Sequence, residues 1–286
     1  MKEILFHPFI HTLEETIKLI PFLFIAFLII EFIEHKISKK NEKILKKAGK
    51  FGPLLGSLLG LVPQCGFSVL ATNLYITRII SLGSLISIYL TTSDEMLIIL
   101  IADNAPLPLI LTVLAFKFFI GLICGYLIDL FYRKKENHHH HIHELCDNDD
   151  CHCEEENILY SSFKHTIKTL TFIFIALLIV NLIFHNFGED YLSKLLLKNN
   201  FIAPFISSLI ALIPSCGSSV IITELYLLDQ ISFGTLISGL LTNSGIAIML
   251  LFKNNKHLKE NIIILSIIYA IGVIAGIILN LINFVI

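Results

Sequence analysis

The sequence reads GLVPQCGFSV at residues 60–69 and, slightly altered, ALIPSCGSSV at residues 211–220. Each copy interrupts a long apolar segment with the same Pro-x-Cys-Gly break. Proline lacks the amide donor and clashes with the preceding turn, and glycine relaxes the backbone further. A continuous helix through Pro63 or Pro214 is therefore not expected.

The surroundings of the two breaks set the class. Of 286 residues, 55% are hydrophobic and 15% charged, with a mean hydropathy of +0.79, well beyond what a soluble domain needs. Apolar runs at 17–33, 106–132, 170–184 and 262–286 have about the length that crosses a bilayer as helix. The expected fold class is an all-α polytopic membrane protein. No cleavable signal peptide is expected, because the first apolar segment follows Glu14 and Glu15 and no small-residue cleavage site stands out.

A shift of about 150 residues lays the second half on the first. FLFIAFLII at 22–30 matches FIFIALLIV at 172–180, and ISLGSLIS at 80–87 matches ISFGTLIS at 231–238. Pro63, Cys65, Gly66 and Ser68 fall on Pro214, Cys216, Gly217 and Ser219, LTTS at 90–93 on LTNS at 241–244, and IGLICG at 120–125 on IGVIAG at 271–276. Polar, glycine and proline positions stay in register, which chance matching of apolar letters does not produce. The halves are 1–132 and 158–286, joined by a polar linker at 133–157.

Lysines orient the halves. The loop at 36–50 holds seven lysines and is expected on the cytoplasmic side. The linker opens with Arg133, Lys134 and Lys135, the turn near Asp103 has no basic residue, and its second-half counterpart carries Lys253, Lys256 and Lys259. These fit inverted repeats with both termini outside and the linker inside. Lys194 and Lys198 fall outside and count mildly against that scheme.

In hydrocarbon, freed backbone groups cost several kcal/mol each, so breaks survive only where protein or a cavity satisfies them. Paired breaks in inverted halves point to a transporter's substrate site. The expected substrate-binding residues are Pro63, Gln64, Cys65, Gly66 and Ser68, with Pro214, Ser215, Cys216, Gly217 and Ser219. A second interruption adds Thr91, Thr92, Ser93, Asp94 and Glu95, matched by Thr242, Asn243 and Ser244. Intramembrane carboxylates usually face a cavity as ion ligands or proton carriers. The bland readings are a kinked helix with an inert buried thiol, and a surface turn at 91–95. Glu224, standing where the first half has Asn73, is a further candidate acid.

The linker contains NHHHHIHELCDNDDCHCEEEN. His138, His139, His140, His141, His143, Cys146, Asp150, Cys151, His152 and Cys153 suit borderline and soft cations. Their irregular spacing indicates a flexible metal-collecting loop rather than a folded zinc site. In a reducing cytoplasm its thiols would stay free.

The paired motifs, the duplication and the His/Cys-rich linker resemble the ten-helix heavy-metal exporter family, described as arsenic efflux proteins or manganese transporters and related to organoarsenical permeases. The resemblance covers nearly the whole chain. It implies about five helices per repeat, and efflux of a metal or metalloid ion across a prokaryotic plasma membrane. It singles out Pro63, Cys65, Gly66, Pro214, Cys216 and Gly217. The chain departs from the doubled Cys-Ser-Cys of the organoarsenical relatives, with one cysteine per repeat; Cys124 is the candidate third thiol.

The chain is therefore expected to be no enzyme and to hold no cofactor, the metal or metalloid ion being its substrate. The bilayer is its other partner, nucleic acid is excluded, and a homo-oligomer stays open. No Gly-Lys-Ser/Thr phosphate loop occurs, so the drive is expected to be secondary, with proton antiport through Asp94 or Glu95. A thiol oxidoreductase lacks a Cys-x-x-Cys in the membrane segments. An intramembrane aspartyl protease lacks a second aspartate, its equivalent being Gly245. A metal sensor leaves the duplicated breaks without purpose. A small-solute permease with an accessory linker is the runner-up.

Overall fold

The computed structural model describes residues 51–63, 66–132, 201–215, 217–255 and 257–282, together with individual helical positions between 12 and 28 and between 162 and 178. Gln64, Cys65, Cys216, the linker ligands and the side chains of Asp94 and Glu95 lie outside the described residues.

Among the described residues two sets of five continuous helices follow one another, each set preceded by the isolated helical positions. The first comprises α1 (Gly52–Gly60), α2 (Gly66–Ile76), α3 (Leu82–Thr91), α4 (Asp94–Ala102) and α5 (Leu107–Tyr132). The second comprises α6 (Ala203–Ala211), α7 (Gly217–Leu227), α8 (Phe233–Thr242), α9 (Ala247–Asn254) and α10 (Leu258–Leu281). Among the described residues there is no strand. Among the described residues four stretches are long and apolar enough to cross a membrane: Leu82–Ala102, Leu107–Tyr132, Phe233–Asn254 and Leu258–Leu281. α5 alone, at about 1.5 Å per residue, is longer than the hydrocarbon layer is thick. Leu107, Leu111, Phe119, Ile123, Leu130 and Phe131 of α5 are exposed, as side chains bathed in lipid can be.

The duplication holds at the level of single hydrogen bonds. Ser81 caps α3 by accepting from Ser84 N, and Ser232 caps α8 by accepting from Thr235 N. Ser81 Oγ in turn donates to Asp129 (2.7 Å), and Ser232 Oγ to Asn280 (2.7 Å). One pair is charged and the other neutral, but the acceptor oxygen is the same. Thr16 and Thr166 each donate back to the carbonyl four residues earlier, of Thr12 and Ser162. Both α2 and α7 end in a left-handed residue, Arg78 (φ 59) and Asp229 (φ 56), whose following N–H closes onto Leu74 O or Leu225 O at 2.8 and 2.9 Å.

Small residues let the backbones approach. A Cβ on Gly83 would stand 2.2 Å from Gly125 O, and one on Gly234 would stand 2.4 Å from Gly276 O. Close backbone approach of this kind drives helix association in lipid, where apolar burial does not.

Close approaches also give direction. Gly52 lies against Ser84 and Gly60 against Thr91, so α1 runs parallel to α3. The chain must therefore return from Gly60 to Ser81, and α2 carries it back. α1 and α2 thus form a helical hairpin. α4 continues onward from α3, while α5 runs antiparallel to both, with Asp129 at Gly83 and Gly121 at Thr91. In the second set, Ser207 bonds Thr235 O and Ser208 bonds Ser238 O, placing α6 on α8 as α1 sits on α3.

The sets interlock reciprocally, with α2 on α9, α4 on α7 and α3 against α8. At one face the contact is ionic. Arg78 donates to both Glu260 oxygens at 2.7 and 3.0 Å, Tyr75 OH donates to the same carboxylate, and the guanidinium lies 5.2 Å over the Tyr75 ring. Burial alone would weaken the Arg78 charge; the bonds to Glu260 outweigh it and hold the guanidinium firmly protonated. The positions equivalent to Arg78 and Glu260 are Asp229 and Leu109, so the latch has no image at the other face.

Candidate functional site: the paired helix breaks

α3 stops at Thr91 because Thr92 leaves helical geometry (φ −50, ψ 122), and α8 stops at Thr242 because Asn243 does the same (φ −72, ψ 105). Neither break faces solvent. Thr91 and Thr242 are fully buried, as are Thr92, Ser93, Asn243 and Ser244 to within a few per cent. The surface-turn reading of 91–95 therefore does not hold for Thr91, Thr92 and Ser93.

Most hydroxyls here are satisfied locally. Thr91 donates to Ser87 O (2.8 Å), Thr92 to Ile88 O (2.7 Å) and Thr242 to Ser238 O (2.8 Å), the back-bonding that lets threonine sit inside an apolar helix. Ser93 bonds Thr91 O (2.9 Å), and Asn243 Oδ1 accepts from Gly245 N (3.0 Å), where Gly245 takes φ 54. Ser244 is different: its Oγ is buried with no hydrogen-bond partner, a condition costing about 1–3 kcal/mol.

The Pro-containing breaks sit at the same depth. α1 ends with Gly60 against Thr91, three residues before the half-buried Pro63. In the second set Ser215 Oγ accepts from Gly217 N (3.1 Å), and Ser218 bonds Ser215 O (2.9 Å), tying the chain on either side of position 216. Pro214 is half-buried, and Ser68 and Ser219 are buried near the starts of α2 and α7. Between the repeats, Tyr89 OH meets Thr72 Oγ1 (2.5 Å) and donates to Ala247 O (3.4 Å).

Two expected contributors lie elsewhere. Cys124 lines an apolar groove between α5 and α10, with Ile271, Ile274 and Ile278, and the described residues lining that groove include none from the breaks. The reason is helical phase: Gly121 and Gly125 take the α5 face that packs on α3, which turns Cys124 away. Glu224 is on the exposed face of α7. It stands between Thr223 and Leu225, both buried.

One central residue was missed. Lys117, in the middle of α5, is 1% exposed and donates to Thr92 O and to Leu240 O (2.9 Å). A lone lysine inside the 26-residue apolar α5 was the available signal, since ionisable groups in a span are expensive and mark function. Asp129, also in α5, is by contrast a cap: it accepts from Ser81 Oγ and from Gly83 N (2.9 Å). Among the described residues, no three His, Cys, Asp or Glu gather closely enough to hold a metal ion.

Apolar helices of membrane length, interrupted by buried breaks, define a multi-pass membrane protein. The particular family follows from comparison with known proteins. A family model described as "Putative, 10TM heavy-metal exporter" matches residues 9–169 and 154–285, and the chain belongs to that family. No curated protein and no solved structure matches the chain.

Proposed function

We propose that the chain is a secondary-active exporter that loads a heavy-metal or metalloid ion from the cytoplasm at the paired helix breaks and releases it outside. The observation that carries this reading is the convergence of two buried, unwound polar segments, 92–93 and 243–245, from opposite repeats. In a span such segments survive where they line a route for a polar solute.

Inverted insertion of 1–132 and 158–286 is part of the proposal. It is supported by the lysine distribution and by the reciprocal α2–α9 and α4–α7 contacts, which an exchange of the two repeats reproduces. Substrate would touch the residues around Pro63 and Pro214, with Cys65 and Cys216, and those around the breaks at Thr92 and Asn243. Asp94 or Glu95 would carry the exchanging proton. The linker of 133–157, with His138 to His141 and Cys146, Cys151 and Cys153, would gather ions on the loading side.

The test is accumulation in a metal-sensitive bacterial host exposed to Mn, Zn, Co, Cu, Cd and arsenite. Expression should lower the cell content of one ion. Cys65→Ser, Cys216→Ser and Asp94→Asn should abolish the effect, and removal of the linker should only weaken it. Unchanged content of every ion, with the protein present in the membrane, would sink the reading.

A further inference from the structure

A cation already stands at the centre of the fold, and it belongs to the protein. α3 and α8 are half-helices from different repeats, and each points its C-terminal end, the negative pole of its dipole, into the buried middle of the molecule. Thr92 O is the carbonyl of the cap residue of α3, and Leu240 O lies in the last turn of α8, where carbonyls lack helical partners. Both accept from the Lys117 ammonium. The equivalent of Lys117 in the second repeat is Ile268, which is fully buried. A single positive charge thus serves both helix ends. In the α8–α9 break that follows Leu240, Ser244 Oγ is buried and has no hydrogen-bond partner among the described residues.

Half-helix C-termini and unwound carbonyls coordinate cations in broken-helix carriers. We propose that Thr92 O and Leu240 O are ligands of the transported ion, and that Lys117 is a tethered stand-in which occupies their site in the empty carrier. This deepens the export reading and rests on it. Loading is a displacement: the ammonium withdraws on its flexible stem with its proton, and the ion takes the two carbonyls. No bond is made or broken covalently. Because Lys117 bridges α5 to both repeats' broken helices, its withdrawal also releases the tie between α3 and α8, linking occupancy to their relative movement. Among the described residues the two ligands are main-chain carbonyls, which are hard donors, so the probe is an oxygen-coordinated divalent cation, Mn²⁺.

Lys117→Ala removes the competitor, and Lys117→Arg keeps a charged group in its place. The full-length proteins would be reconstituted in lipid nanodiscs, and thermal unfolding followed against MnCl₂ and, separately, n-propylammonium chloride. The expected result is a Lys117→Ala protein that unfolds at lower temperature and is restored by Mn²⁺, with an apparent affinity at least tenfold tighter than in the unsubstituted chain. Lys117→Arg should not respond. If Lys117→Ala does not fold, Lys117→Gln, which keeps a neutral donor, carries the same measurement. Three results overturn the proposal: Mn²⁺ affects Lys117→Ala no more than the unsubstituted chain, Lys117→Arg responds as Lys117→Ala does, or propylammonium alone restores stability. Failure of the export reading is separate. Cells that export nothing, beside a nanodisc protein that binds Mn²⁺ as described, would leave the site standing and remove the transport.

Discussion

The Arg78–Glu260 latch joins repeats whose sequences place its partners 182 residues apart, and its strength can be worked from its geometry. The two side chains are 28% and 20% exposed, between the fully wet pairs worth about 0–1 kcal/mol and the buried ones whose one-sided loss costs about 3–5 kcal/mol. Two unit charges in contact at an effective dielectric near 20 attract by roughly 4 kcal/mol before desolvation is subtracted. Bidentate geometry adds to that, and the Tyr75 hydroxyl supplies a third bond to the carboxylate. Glu260→Ala should therefore destabilise by about 2–3 kcal/mol, much of it from the half-buried guanidinium left behind. A double-mutant cycle with Arg78→Ala should give a coupling of about 1.5–2 kcal/mol. Arg78→Lys should keep less than half of it, since a point charge cannot grip both oxygens. Asp229, at the equivalent position of the second repeat, is exposed; Asp229→Asn, which removes the charge but tolerates the left-handed backbone there, should change stability by less than about 0.5 kcal/mol. The assay is thermal or denaturant unfolding of the reconstituted protein. A coupling below about 0.5 kcal/mol, or an Asp229 effect as large as that of Glu260, would refute the reasoning.

Other substitutions test other layers. Gly276→Val inserts a side chain whose Cβ would stand 2.6 Å from Gly234 O; overpacking of this kind costs about 1–3 kcal/mol or more, read as a lower unfolding temperature and loss of a monodisperse peak in size-exclusion chromatography. Asp129→Asn should cost under about 1 kcal/mol, because Asn280 already does the same work in the other repeat, whereas Asp129→Ala, leaving Ser81 and Gly83 N without their acceptor, should cost about 2 kcal/mol in the same unfolding assay. Ser244→Ala removes a buried, unpartnered hydroxyl and should leave the unfolding temperature equal or higher while lowering ion export by cells.

The duplication was legible because polar, glycine and proline positions stay in register, and the register reappears bond for bond in Ser81–Asp129 and Ser232–Asn280. The GxxxG spacings within IGLICG and IGVIAG could be read the same way, since Gly125 and Gly276 meet the opposite backbone. Chain direction was not legible. Nothing in the letters around Pro63 gives the direction of α1; the contacts of Gly52 with Ser84 and of Gly60 with Thr91 set it parallel to α3. Lys117 carries no signal in the repeat, because its counterpart is Ile268. The Arg78–Glu260 pair carried no local signal, being made only when α2 and α10 meet. Cys124 stood out as a candidate third thiol, and its place in the groove between α5 and α10 follows from packing rather than from the residue itself.

The most direct measurement is ion flux into everted membrane vesicles from cells that express the chain, energised to make the interior acid and offered Mn²⁺, Zn²⁺, Cd²⁺ or arsenite one at a time. The account predicts that one of these accumulates in the vesicles, that an uncoupler discharges it, and that Asp94→Asn at equal membrane abundance abolishes it. Vesicles that hold the protein and accumulate none of them would contradict the claim that the paired breaks carry an ion outward.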